Sequence, residues 1–181
     1  MHGLIFASLR DYVGVVGGAD AVDRVFREEI YLSSGVYDDE HFSRLVARAC
    51  EETSIEPDAF LHDFGVFTAE RTFTRLYPGF FSIAGSTRDF LLAVEERIHE
   101  LVRATIPNAR PPRLTVSELD EDGVSIVYSS PRKLCVLLGG LAHGVALHYG
   151  QAARIEETTC MRRGDDACTF EVRFNPERQS A

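Results

Sequence analysis

The segment Ile106-Pro107-Asn108-Ala109-Arg110-Pro111-Pro112-Arg113 splits the chain into two halves of different periodicity, and that split sets the fold class. Proline lacks a backbone donor and turns the residue before it away from α geometry, so three prolines this close together end any helix. Upstream, apolar residues recur at helical spacing. Downstream, they alternate in two pairs of short runs around turns. The expectation is an α+β fold: a helical N-terminal half, and a C-terminal half of antiparallel sheet with packed helices.

In the first half, Leu4, Ile5, Leu9, Tyr12 and Val13 mark a short amphipathic helix that breaks at Gly17-Gly18. Further helices are expected over 19–29 and 38–51, the latter capped by Asp38 or Asp39 and striped by Phe42, Leu45, Val46 and Ala49. A longer one starts near Pro57 and runs to Pro78, with a possible bend at Gly65. Its aromatic residues exceed what a small helical core usually needs, though packing alone accounts for many of them. After the prolines, 114–119 and 123–129 read as strands around Asp120-Glu121-Asp122, and 133–149 as a helix. The segments 151–161 and 167–174 form a second hairpin. The helix is apolar almost all round and rich in glycine and alanine, so it is a buried element that lets another backbone, or a flat ligand, come close.

Without a repeat or long linker, residues 1–175 are expected to form one domain, followed by a polar tail over 176–181. A net charge of -9 argues against binding nucleic acid or an anionic membrane, whose phosphates would repel the surface. The longest apolar run, 134–142, is far short of the ~20 residues that span a bilayer, and Arg10 and Asp11 interrupt the N-terminal apolar pattern. The chain is therefore expected to be cytoplasmic. Four cysteines without a signal peptide suggest buried thiols, metal ligands or a redox pair rather than a disulfide framework.

Two stretches carry candidate chemistry. On the helix expected over 89–105, Phe90, Leu91, Val94, Ile98, Leu101, Val102 and Thr105 fill about 120° of arc, opposite Glu96, Arg97, Glu100 and Arg103. His99 borders the apolar arc, placed either to ligate a group in a cavity or to bond to a neighbour as a part-buried histidine. In Tyr128-Ser129-Ser130-Pro131-Arg132, the strand period puts Tyr128, Ser130 and Arg132 on the face of Val124 and Ile126. Two hydroxyls and a guanidinium there suit a carboxylate or phosphate, unless Arg132 only pairs with a surface acid. A third, weaker cluster is the last hairpin. Centred on Gly164, it sets Cys160 opposite Cys168, within reach of a disulfide or a shared metal, with Cys135 as a third ligand.

The order and spacing of these pieces resemble the heme nitric oxide/oxygen binding (H-NOX) domains related to the heme domain of soluble guanylate cyclase. The resemblance runs from Met1-His2-Gly3-Leu4-Ile5-Phe6 through Phe64-Gly65-Val66-Phe67, Tyr77-Pro78-Gly79-Phe80-Phe81, Ile98-His99, Pro111-Pro112-Arg113-Leu114 and the Tyr128 to Arg132 stretch to Thr159-Cys160-Met161. It implies heme b held between a distal helical part, 1–84, and a proximal part, 85–175. His99 matches the axial ligand, and Tyr128, Ser130 and Arg132 match the Tyr-x-Ser-x-Arg signature that binds the heme propionates. Ile5 and Pro112 match residues that distort the porphyrin, while Phe73 and Leu141 match apolar pocket positions. One axial histidine, a carboxylate clamp and surplus aromatics also suit heme on chemical grounds alone.

Oxygen-binding members of the family place a tyrosine donor nine residues after the signature tyrosine. Here that position is Leu137, and Leu9 and Ala69 fill the other positions where polar pocket residues can occur. The resemblance then implies a nitric oxide sensor, open also to CO, with weak or no O2 binding unless a displaced hydroxyl such as Thr68 supplies the donor. Some relatives hold zinc with three cysteines and a histidine. That histidine's place is taken by Glu157, His148 being a remote substitute, so zinc on Cys135, Cys160, Cys168 and Glu157 stands beside metal-free thiols. His62 and His143 match no ligand position and are read as core or pocket-edge residues.

A non-enzymatic sensor is expected, signalling through release of the His99 bond to a separate histidine kinase or diguanylate cyclase/phosphodiesterase. The alternative is a heme-free metal or small-molecule module resembling the 4-vinyl reductase type, with Cys160 and Cys168 as its site.

Overall fold

The computed structural model describes residues 1–174, so the expected tail, 176–181, lies outside the described residues. Helix α1, Gly3–Phe26, kinks at Gly18, which has φ 76° and ψ -177°, a conformation open to glycine. The kink is the expected break. Beyond it the helix stops at Phe26, three residues early, because Arg27 turns left-handed and its N–H closes on the Asp23 carbonyl. Helix α2, Asp39–Thr53, is capped by Asp38, which accepts from the His41 N–H at 2.9 Å. With Asp38 as cap, the Asp39 side chain is free for another partner.

Helix α3, Pro57–Phe67, continues through a π-helical segment, Thr68–Phe73, into α4, Thr74–Leu76. The departure from α geometry thus falls after Gly65, not at it. Gly65 serves packing instead: a Cβ there would stand 2.5 Å from the Leu137 carbonyl oxygen. Helix α5, Pro78–Ala84, leads to α6, Thr87–Val94, capped by Ser86. A second π-helical segment, Glu95–His99, then opens into α7, Glu100–Thr105.

This second π segment corrects the single α-helix expected over 89–105. A π turn takes in more residues than an α turn, so the positions after it rotate relative to an uninterrupted wheel. Leu101, expected on the core side, is consequently 48% exposed.

Strands β1, Arg113–Asp120, and β2, Gly123–Ser129, form the first hairpin, and β3, Ala153–Thr159, and β4, Cys168–Phe174, the second. They pair antiparallel in the order β1-β2-β4-β3. Between the hairpins, α8, Cys135–His148, packs against α3. Of the two guests its small residues allow, the structure shows a backbone: a Cβ on Gly140 would lie 2.0 Å from the His62 carbonyl oxygen.

Three apolar clusters result. One joins α1, α2 and α3 around Phe6, Leu9, Phe42, Phe60 and Phe64. A second fills the space between sheet and α8, with Val124, Ile126, Tyr128 and Phe170. A third gathers Ala69, Phe81, Phe90 and Val145. Leu141 packs against both the first and the third. Among the described residues no helix is long and apolar enough to cross a membrane.

Candidate functional site

His99 ends the second π segment with its ring largely covered, and its Nδ1 lies 2.8 Å from Oε2 of Glu95 one turn earlier. Burial lowers the ring's pKa more than the Glu95 carboxylate raises it, which favours neutral imidazole, the form that ligates a metal. For Glu95, burial raises the pKa, but the bonds from His99 and Arg103 outweigh it and keep the group a carboxylate. With Nδ1 donating to an anion, the lone pair lies on Nε2, which has no hydrogen-bond partner among the described residues.

The polar face expected of this helix holds Glu96, Arg97, Glu100 and Arg103, and Glu95 is a site residue that reading does not include. Its spacing of four from His99 was the available signal. The same Oε2 also accepts from the Leu114 N–H at 3.3 Å, and Oε1 from Arg103 at 2.5 Å. Because Leu114 pairs with Tyr128 across β1 and β2, Glu95 links the His99 segment to the strand that carries the predicted clamp.

On β2, Val124, Ile126 and Tyr128 are buried on one face as the alternation requires, and Ser130 follows them inward just past the strand end. The Tyr128 hydroxyl accepts from the Leu134 N–H at 3.0 Å, and the Ser130 Oγ from the Arg132 N–H at 3.3 Å. Arg132 donates from Nη1 to the Arg110 carbonyl at 2.7 Å. Its Nε lies 2.8 Å from Asp39 Oδ1, yet is buried and off line for a hydrogen bond. Arg132 thus pairs with a partly exposed acid, the alternative raised for it, and Asp39 does more than start a helix. Asp39 also holds the N-terminal amine at 2.6 Å. Burial tends to raise its pKa, but the facing Arg132 guanidinium and the bonded amine prevail and lower it.

Pro112 immediately precedes Arg113, the partner of Ser129, so it stands at the clamp end of the sheet. Ile5, Leu9 and Leu137 meet in the first apolar cluster, Ala69 and Phe73 in the third beside Val94 and Ile98, and Leu141 touches both. The predicted pocket residues are thus contiguous up to the residue before His99. Phe80, Phe90, Val94 and Ile98 also border a cavity of about 240 Å³. Thr68 is buried, but its hydroxyl is 2.9 Å from that of Ser8, which lies 2.8 Å from that of Thr72.

The cysteines meet as well. One ligand atom each from Cys135, Glu157, Cys160 and Cys168 lies within 4.8 Å of the other three. All the thiols are free, so the disulfide alternative is not formed. Cys135 and Cys160 have their sulfurs 3.7 Å apart, near the ~3.8 Å edge of a tetrahedron with metal-sulfur bonds of ~2.3 Å. Burial first, then Cys160, Glu157 and Cys168, push the Cys135 thiol up. Oε1 of Glu157 is buried without a partner, while Oε2 accepts from Arg163 at 3.2 Å. His148 instead packs edge-on against Phe81, and Cys50 sits in the helical core. His62 and His143, their rings 5.4 Å apart, line a separate cavity of about 370 Å³.

Set against known families, residues 2–157 match the model described as Haem-NO-binding. The chain belongs to this family. No curated protein matches the sequence. Among solved structures, an H-NOX protein from S. oneidensis in the Fe(II)NO state is similar at TM-score 0.89 and 23% identity, over 97% of this chain and 99% of that one. The Fe(II) unliganded H-NOX protein from K. algicida aligns at TM-score 0.84 and 23% identity, over 97% of each chain. An oxygen-binding H-NOX domain related to soluble guanylate cyclases, in its oxygen complex, aligns at TM-score 0.85 and 22% identity over 97% and 95%. At such identity the likeness shows the H-NOX fold, and NO-ligated and oxygen-ligated proteins share it.

The residues fit the group this family binds. An imidazole with a free Nε2 and an oriented Nδ1 and contiguous apolar walls suit such a macrocycle, and the Arg132 guanidinium that would meet a propionate faces Asp39.

Proposed function

We propose that this H-NOX domain is a ferrous heme b sensor of nitric oxide, and that His99 is its axial ligand. The observation that carries the reading is the Glu95-His99 pair, which leaves Nε2 as the free ligand atom in a segment facing the apolar cluster of Ala69, Phe73 and Leu141. Heme supplies the iron at which a diatomic gas binds. Tyr128, Ser130 and Arg132 anchor the propionates, Ile5 and Pro112 press on the ring, and Phe73 and Leu141 line its pocket. On this reading residues 1–84 form the distal part and 85–175 the proximal part.

Selection of NO over O2 rests on the distal side. Bound O2 draws on a hydrogen-bond donor, whereas NO does not need one. Leu137, Leu9 and Ala69 offer none, and the buried hydroxyls of Ser8, Thr68 and Thr72 are engaged with one another. CO is a further ligand on the same argument. With heme bound, loss of the bond from His99 to iron would free the 95–105 segment, a two-state change that a histidine kinase or a diguanylate cyclase/phosphodiesterase would read from a cytoplasmic domain that is not itself an enzyme.

The absorption spectrum of the ferrous protein tests this. A Soret band is expected, altered by His99→Gly, with no stable oxy form in air and a new band on adding NO. A missing Soret band, or one indifferent to His99→Gly, defeats the heme reading, and an air-stable oxy spectrum defeats the choice of gas.

The heme-free alternative has one supporting feature, the Cys135, Glu157, Cys160 and Cys168 cluster. It is better placed as a second, structural site within the sensor: three sulfurs and a carboxylate whose Oε1 lacks a partner suit zinc.

A further inference from the structure

Resting on the reading of His99 as the iron ligand, we infer that Glu95 is a positioning residue that sets the strength of the His99 bond to iron, and with it the ease of NO-driven release. A carboxylate that accepts the Nδ1 proton of a ligating imidazole fixes its tautomer and ring plane and makes Nε2 a stronger donor to the metal. Glu95 is built for this. Its Oε2 lies 2.8 Å from Nδ1, and the side chain is held from two more directions, by the Leu114 N–H at 3.3 Å and by Arg103 at 2.5 Å. The π turn that begins at Glu95 and ends at His99 carries both residues.

The two other contacts act on the ring in different ways. The Leu114 amide belongs to the sheet and fixes where the carboxylate stands, so the ring is registered against β1 rather than only against its own helix. The Arg103 guanidinium draws charge from the carboxylate and weakens it as an acceptor for Nδ1–H. Glu95 thus strengthens the bond to iron, and Arg103 moderates that strengthening.

The iron-histidine stretching frequency of the ferrous unliganded protein, measured by resonance Raman, reads the bond directly. Glu95→Gln is expected to lower it, raise the heme reduction potential, and increase the five-coordinate fraction of the NO complex. Heme affinity should weaken on the order of 10-fold. Arg103→Ala should shift the frequency the other way, a sign reversal that a merely structural role would not produce. Glu96→Gln removes the same charge one residue along from an exposed site and should leave the frequency where it is.

An unmoved frequency in Glu95→Gln, or an equal shift in Glu96→Gln, overturns the inference while the heme reading stands. If Glu95→Gln does not fold, an Arg103→Ala frequency equal to or below wild type overturns it instead. A wild-type protein with no Soret band removes the heme reading and this inference together.

Discussion

The Asp39 carboxylate and the Arg132 guanidinium meet at 2.8 Å, tying the start of α2 to the turn between β2 and α8. The pair joins the helical half to the sheet half at the clamp. Since the folded pKa of Asp39 is below its ordinary value, its contribution to stability is present above the usual carboxylate range and is lost as pH falls through the folded pKa. Asp39→Asn should therefore reduce stability at pH 7 by about 0.5–1 kcal/mol, seen as a lower urea midpoint, because the carboxylate is partly exposed and screened. Once the pH is below the folded pKa of Asp39, the wild type and the variant should converge. Urea melts across the pH range check both.

Gly140 and Gly139 are neighbours in α8 with opposite tolerance. Gly140→Ala would put a methyl 2.0 Å from the His62 carbonyl oxygen and should cost about 3 kcal/mol or abolish folding. Gly139→Ala would meet Phe170 at an ordinary 3.6 Å and should stabilise by up to about 1 kcal/mol through helix propensity. Thermal melts of the two variants compare them directly.

Ser8 shares its hydroxyl with Thr68 and Thr72 in the core. Ser8→Ala leaves both threonines short of a partner and should cost about 1–3 kcal/mol. Adding Thr68→Val and Thr72→Val should cost less than the sum of the three single changes, because no polar group is then left stranded. Denaturant melts of the singles and the triple would measure the coupling.

Zinc analysis addresses the cysteine cluster. One zinc per chain is expected in the wild type and none in Cys160→Ser, with Glu157→Gln retaining metal more weakly against a chelator. Stoichiometry by atomic emission, with the heme spectrum followed in parallel, separates this site from the His99 site.

Periodicity carried much of the architecture. The Gly18 kink, the Asp38 cap, both hairpins and the glycine-rich α8 are local in origin, so composition and spacing reveal them. What periodicity missed was insertion and long-range pairing. No residue type marks a π turn, and that over 95–99 displaced the wheel enough to turn Leu101 outward. Asp39 looks like any first-turn acid until the fold brings Arg132 to it from 93 positions away along the chain. Glu95 was hidden differently: on an ideal wheel it borders the apolar arc beside Val102, between that residue and His99, and its partner stands four residues on.

The glycine contacts between α3 and α8 limit how this molecule can move. Where Gly65 and Gly140 seat main chain on main chain, no side chain is present to change rotamer and absorb a displacement. A displacement of either helix is therefore passed to its partner with little to absorb it, and the breaks in regular α geometry lie elsewhere, at Gly18 and at 68–73 and 95–99.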